Sequence, residues 1–141
     1  MEGAVEWTVS VTVVSAGDFN PDGQNTNCFR SDDSFAWALG GGAGIAAMTF
    51  TSGPGMSLMV EGISYMVGSE LPGVFVNIMR GGPGLGNIAP EQSDVKLACR
   101  GLGHGHTHCI TLMPSTPQEM LDDAILAFDL TLTYRNPVLI L

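Results

Sequence analysis

Short apolar runs alternate with longer amphipathic segments from Thr51 to Leu141, the pattern of strand and helix taking turns in an α/β sheet. Residues 45–50 (IAAMTF) predict a short buried strand that stops at Thr51-Ser52-Gly53-Pro54-Gly55, where glycine and proline forbid its continuation. Leu58, Met59, Gly62, Ile63 and Met66 recur at spacings of three and four and predict a helix over 57–68. Residues 74–79 (VFVNIM) are β-branched and aromatic enough for a strand buried on both faces, which places Arg80 at a strand's carboxyl end. The following stretch, 81–91, holds four glycines and two prolines and reads as a functional loop.

Ser93 is then expected to cap a short helix through Arg100, with Asp94 near its positive N-terminus. The chain reverses over 101–105, and 109–113 (CITLM) predict another strand. Thr116-Pro117-Gln118-Glu119 matches a capping box with proline at the first helical position. The helix it opens is expected to bury Leu121, Ile125, Phe128 and Leu132 on one stripe and to turn Asp122 and Asp129 outward. Arg135-Asn136-Pro137 ends it, and a final strand is expected over 138–141. That strand stops in mid-run, which reads as a truncation. The fold class is α/β, a parallel sheet flanked by helices.

The first 42 residues differ in character. Residues 5–14 alternate like a strand, 15–34 are polar with the turn residues Asn20-Pro21-Asp22-Gly23, and Gly40-Gly41-Gly42 interrupts what would be a helix. The expected organisation is a divergent segment over 1–42 and one α/β unit over 43–141. No repeat or low-complexity tract is visible.

Composition narrows the function. At 141 residues the chain has the size of one domain, and 45% apolar against 13% charged residues leaves little charge to cover its surface, so a partner is expected over part of it. A net charge of −9, with Lys96 the only lysine beside Arg30, Arg80, Arg100 and Arg135, argues against nucleic-acid binding. The acidic start (Met1-Glu2-Gly3-Ala4-Val5-Glu6) is no signal peptide and no apolar run nears the ~20 residues a bilayer needs, so a cytoplasmic location away from membranes is expected. Cys28, Cys99 and Cys109 lack the spacing of an iron-sulfur site and are expected to be buried thiols.

Among candidate motifs, neither Gly40-Gly41-Gly42-Ala43-Gly44 nor Gly82-Pro83-Gly84-Leu85-Gly86 completes a dinucleotide fingerprint ahead of a clear helix. A Walker A loop, a serine nucleophile elbow and a zinc-protease motif are absent. His104, His106 and His108 would share one face if extended and could then bind zinc or copper, but they sit on a glycine-rich segment expected to be flexible, so no metal site is expected. The loops 51–55 and 80–84 both lie at strand carboxyl ends, where ligands bind in an open parallel sheet. Arg80 is either a bidentate carboxylate ligand there or a surface arginine beside a loop.

Thr51-Ser52-Gly53-Pro54-Gly55, Glu61-Gly62-Ile63-Ser64-Tyr65, the run from Val76 to Gly86 (VNIMRGGPGLG), and Pro90-Glu91-Gln92-Ser93-Asp94 are similar, in that order and spacing, to alpha subunits of 2-oxoacid:ferredoxin oxidoreductases. Gly103-His104-Gly105-His106, Gln118-Glu119-Met120, Ala127-Phe128-Asp129-Leu130 and Tyr134-Arg135-Asn136-Pro137-Val138 continue the resemblance, which covers 43–141. The RGGPGLG loop, the GHGH segment and YRNPV look closest to the enzyme acting on 2-oxoisovalerate, with the 2-oxoglutarate enzyme as the alternative.

The resemblance implies a partial pyrimidine-binding thiamine diphosphate domain and oxidative decarboxylation of a 2-oxoacid to acyl-CoA, with coenzyme A as acceptor and ferredoxin reduced. It implies beta, gamma and delta partner subunits, with magnesium and the iron-sulfur clusters on those partners. Arg80 takes the family position facing the substrate carboxylate, and Thr51, Ser52, Gly53, Pro54 and Gly55 match the loop near the cofactor. Two family elements are not legible. A threonine turn that meets substrate has no counterpart in 1–31, and Cys28-Phe29-Arg30 stands where an ungapped count puts the glutamate that activates the aminopyrimidine, with Asp32 and Asp33 just beyond. The chain alone is therefore expected to be inactive, and a non-catalytic assembly module is the competing expectation.

Overall fold

A computed structural model describes residues 47–84 and 86–141. The expectations for 1–42, including Asp32 and Asp33, and the first two residues of the strand over 45–50 lie outside the described residues. The elements run β1 (Met48–Thr51), α1 (Pro54–Gly68), β2 (Val74–Asn77), α2 (Asp94–Cys99), β3 (Ile110–Leu112), α3 (Pro117–Tyr134) and β4 (Val138–Ile140).

The strands form one parallel sheet in the order β1-β2-β4-β3. Right-handed crossovers then dictate the layers. The moves from β1 to β2 and from β2 past β4 to β3 run in one direction and put α1 and α2 on one face. The move back from β3 to β4 puts α3 on the other. Packing follows this rule: Met56, Met59, Ile63, Met66 and Ala98 meet Phe75 and Leu139, whereas Ala127, with Met120, Ala124 and Phe128 beside it, meets Val74, Val76, Val138 and Ile140. The expected α/β architecture, a parallel sheet flanked by helices, is what the chain adopts.

α1 starts earlier than its periodicity predicts, because Pro54 occupies the first helical turn directly after Gly53. Its buried positions are Met56, Met59, Gly62, Ile63 and Met66, so Met56 replaces the expected Leu58, which is 48% exposed. β2 is buried along its whole length and stops at Asn77, two residues before the expected Met79. Ser93 does not cap α2. Its backbone is already helical (φ −63, ψ −26) and its side chain makes no capping bond, so the expected cap is lost.

α3 carries the larger correction. Thr116 is an extended N-cap whose Oγ1 accepts from the Glu119 N–H at 3.2 Å, as the capping box requires. The reciprocal half is shifted: the Glu119 carboxylate accepts from the N–H and hydroxyl of Ser115, both at 2.7 Å. These bonds, the Ser115 hydroxyl foremost, hold the Glu119 carboxyl below its ordinary range. The stripe expected in the core is largely outside it: Leu121 is 57%, Ile125 62% and Leu132 44% exposed. The sheet instead receives Met120, Ala124, Ala127 and Thr131, one position earlier and therefore about 100° around the helix. Small residues win this face because a helix crossing a sheet closely has no room for four large side chains.

Thr131 is the polar exception on that face. Its Oγ1 accepts from Gly73 N–H at 2.7 Å and lies 3.2 Å from Gly73 O and 2.9 Å from Asn136 O, so one hydroxyl joins α3 to the turns that start β2 and β4. Among the described residues no helix is long and apolar enough to cross a membrane.

Candidate functional site

The carboxyl ends of β1 and β2 lie side by side, with Thr51 paired to Asn77 and the Ile78 N–H donating to Thr51 O at 2.8 Å. The two loops that leave them therefore rise together from adjacent strands, as the sequence predicted for 51–55 and 80–84. Gly53 turns the first loop with φ 49, in the left-handed region that glycine enters freely. A side-chain carbon on Gly53 would sit 2.7 Å from Arg80 Nη2, and one on Gly55 would collide with Thr51 Oγ1. The glycines leave room for the Arg80 and Thr51 side chains, Gly53 also by its left-handed backbone, and Pro54 begins α1 between them without a donor to leave unsatisfied.

Arg80 bridges the two loops. Its Nε donates to Ser52 Oγ at 3.3 Å, while Nη1 faces Gly81 O at 3.3 Å, Gly84 O at 3.0 Å and Asn87 O at 2.5 Å. Asn87 completes the frame, donating from Nδ2 to Gly82 O and accepting from Ala89 N–H, both at 3.1 Å. The Gly81 N–H closes it by donating to Ala89 O at 2.7 Å. Nη2 has no hydrogen-bond partner among the described residues. Among the described residues the guanidinium is therefore both the centre of its own loop and a donor with one arm unengaged. A bidentate grip on a carboxylate pairs Nη2 with either Nε or Nη1, so it requires release of Ser52 or of a loop carbonyl.

Sequence reasoning missed three residues. Asn87 organises the loop from inside it, Asn77 is wholly buried at the end of β2, and Asp94 begins α2 with its Oδ2 2.9 Å from Asn77 Nδ2. A signal for Asn77 was present: an amide stands between Val76 and Ile78 in a strand otherwise built for the core.

The histidines form a different arrangement from the extended row considered above. Leu102 and Thr107 pair as an antiparallel bridge, the Ser64 hydroxyl donates to Leu102 O at 2.8 Å, and His104 N–H donates back to Ser64 Oγ at 3.2 Å. The turn is thus pinned to α1 rather than loose. His106 takes φ 55 and sets its ring edge-on to His108, with the two Nε2 atoms 3.3 Å apart. Among the described residues no group of three metal-ligating side chains occurs. Cys99 is exposed, against expectation, and Cys109 is partly buried, its thiol pushed up to about 12 by burial. Cys109 is therefore a neutral thiol at ordinary pH, without nucleophilic character.

An open parallel sheet with a glycine turn and a half-buried arginine at its strand ends is an α/β architecture, the kind in which ligands bind outside the carboxyl ends of the strands. Comparison with known proteins makes the class specific: the chain belongs to the pyruvate flavodoxin/ferredoxin oxidoreductase, thiamine diphosphate-binding family, which matches residues 36–141. It is 56% identical over 99 residues to the ketoisovalerate oxidoreductase subunit VorB of Methanothermobacter marburgensis, covering 70% of this chain and 28% of that relative. It is 44% identical over 98 residues to the 2-oxoglutarate synthase subunit KorA of Methanocaldococcus jannaschii, covering 70% and 27%. Among solved structures, the 2-oxoglutarate:ferredoxin oxidoreductase from Magnetococcus marinus with 2-oxoglutarate, coenzyme A and succinyl-CoA bound matches with a TM-score of 0.71 and 34% identity, over 77% of this chain and 19% of that one. The chain spans little more than a quarter of the length of these curated relatives.

Proposed function

We propose that this chain supplies part of the pyrimidine-side thiamine diphosphate module of a 2-oxoacid:ferredoxin oxidoreductase, the reaction being oxidative decarboxylation of a 2-oxoacid to acyl-CoA with reduction of ferredoxin. The observation that carries it is Arg80 held across Ser52 and Gly53 at the paired ends of β1 and β2. The higher identity to a ketoisovalerate enzyme than to 2-oxoglutarate enzymes supports 2-oxoisovalerate as the substrate.

The cradle fits the cofactor's needs. Thr51, Ser52, Gly53, Pro54 and Gly55 form a tight turn without a bulky side chain, where a flat heterocycle can approach the backbone. Thiamine diphosphate, when bound, supplies the nucleophilic carbon and the electron sink for decarboxylation. Arg80 then has one task, to hold the carboxylate of the 2-oxoacid through Nη2 and through whichever of Nε or Nη1 lets go. Magnesium and the iron-sulfur clusters belong on partner subunits, and the exposed stripe of α3 supports burial against other parts of such an assembly.

The test is assembly of the chain with a cognate beta subunit, and titration of thiamine diphosphate into the complex by calorimetry. Tighter cofactor binding than by beta alone is the expected result. In an assembly that turns over, Arg80→Lys should raise KM for the 2-oxoacid by roughly tenfold or more, because lysine cannot reproduce the planar fork. An unchanged KM would count against the carboxylate role. A second reading, an assembly module without turnover, is favoured by Cys28-Phe29-Arg30 where the activating glutamate is expected. Restoring an acidic helix start there and recovering activity would reject it.

A further inference from the structure

We infer that Asn77 and Asp94 are a positioning pair, a part-buried clasp at the base of the loop that carries Arg80. The loop leaves the sheet after Asn77 and rejoins helical structure at Asp94, seventeen positions later, and the bond between these two side chains closes its stem at 2.9 Å. Inside the loop, Arg80, Asn87 and the Gly81–Ala89 backbone bond hold one another. Ala98 of α2 packs the returning chain against the sheet, and Asn77 to Asp94 ties the loop's return directly to the strand it left, because Asn77 is part of a strand hydrogen-bonded on both sides and fully enclosed.

The chemistry of Asn77 argues that this anchoring, rather than stability, accounts for an amide at this position. Among the described residues its buried Oδ1 has no hydrogen-bond partner, whereas Nδ2 has Asp94. A β-branched apolar residue, like its neighbours Val74 and Val76, would suit a buried strand better. Flipping the amide would not rescue Oδ1, because it would set that oxygen against the Asp94 carboxylate. The Asp94 carboxyl oxygen, an acceptor, therefore fixes which way the amide points, with Nδ2 toward Asp94. Asp94 in turn sits in the first turn of α2, where the helix end favours its charge, so its position is defined from two directions.

This inference rests on the proposed carboxylate role of Arg80 only for its effect on catalysis; the clasp itself is tested on the full chain without substrate. Hydrogen exchange should show the Gly81 amide, which donates to Ala89 O, exchanging roughly tenfold faster in Asp94→Ala. The amides of Val138 and Leu141, which bond Gly73 O and Leu112 O, should keep their rates. Asp94→Asn retains an acceptor oxygen and should restore Gly81 to within about threefold of the original protection. Unchanged Gly81 exchange in Asp94→Ala overturns the clasp, and so does acceleration shared equally with Val138, or failure of Asp94→Asn to differ from Asp94→Ala. Asn77→Leu, which keeps the strand apolar, is the second variant and should reproduce the Gly81 effect. In the assembled enzyme, Asp94→Ala should raise KM for the 2-oxoacid at least about fivefold with a smaller change in kcat. A released loop with unchanged KM would leave the clasp standing and sink the carboxylate role of Arg80.

Discussion

The two long helices pack on opposite faces of one sheet and are finished to different degrees. α1 buries Met56, Met59, Gly62, Ile63 and Met66, its whole apolar row, whereas α3 buries only Ala127 and Thr131 fully and leaves Leu121, Ile125 and Leu132 in the open. The rows of α3 explain this. Positions 120, 124, 127 and 131 face the sheet, and 121, 125, 128 and 132 repeat the same spacing of four, three and four about 100° away. A helix with two adjacent apolar rows is built to be covered twice. Gln118, Asp122 and Asp129 line the outer edge of the second row, which sets its limit.

The contrast is broken most directly by truncating one residue from each helix. Ile63→Ala should lower the unfolding free energy by about 2–5 kcal/mol, and Ile125→Ala by about 0.5 kcal/mol or less, measured by denaturant titration of the chain. Equal losses would mean that the α3 row is already covered. Thr131→Val keeps the volume of its side chain but orphans the Gly73 N–H, and should cost about 1–3 kcal/mol in the same titration.

Removing the cap with Thr116→Ala should cost about 1 kcal/mol. The Glu119 carboxyl is held low, so its support of the α3 start is present above the ordinary glutamate range and lost as pH falls through its lowered value in the folded chain. A pH titration of helicity should show that loss on the acid side only. The smallest change is chemical: a maleimide probe should label Cys99 roughly tenfold or more faster than Cys109 at mild alkaline pH. Cys109 acts at the alkaline end, where burial raises its thiol, with stability present below the ordinary thiol value of 9.0 and lost as pH rises toward about 12.

Much of this was legible because it depends on local chemistry. Alternation of strand and helix, the turn at Gly53-Pro54, the threonine cap of α3 and the pairing of two loops at strand ends all follow from short stretches of sequence. What escaped depends on residues far apart. The face of α3 that meets the sheet is chosen by clearance against Val76, Val138 and Ile140, and periodicity cannot rank two adjacent rows. The histidine turn looked loose because glycines suggest freedom, yet Ser64, remote in sequence, pins it. Asn77 stands out only as an amide in an apolar strand and Asp94 only as a helix-start acid, and their pairing appears when the fold brings them together. The meeting of the two loops read more clearly: Arg80 and Ser52 come together as loops from adjacent strands should, although the guanidinium is also occupied by carbonyls of its own loop.

The Thr131 hydroxyl gives the molecule two poles. It ties α3 to the turns at the amino ends of β2 and β4, the opposite edge of the sheet from Arg80. Those bonds lie away from the loops at the carboxyl ends of the strands, so the loops can change in sequence without disturbing them. Loop grafting is the practical corollary: residues 81–91 can be exchanged for those of a 2-oxoglutarate relative while the fasteners at the far edge stay untouched.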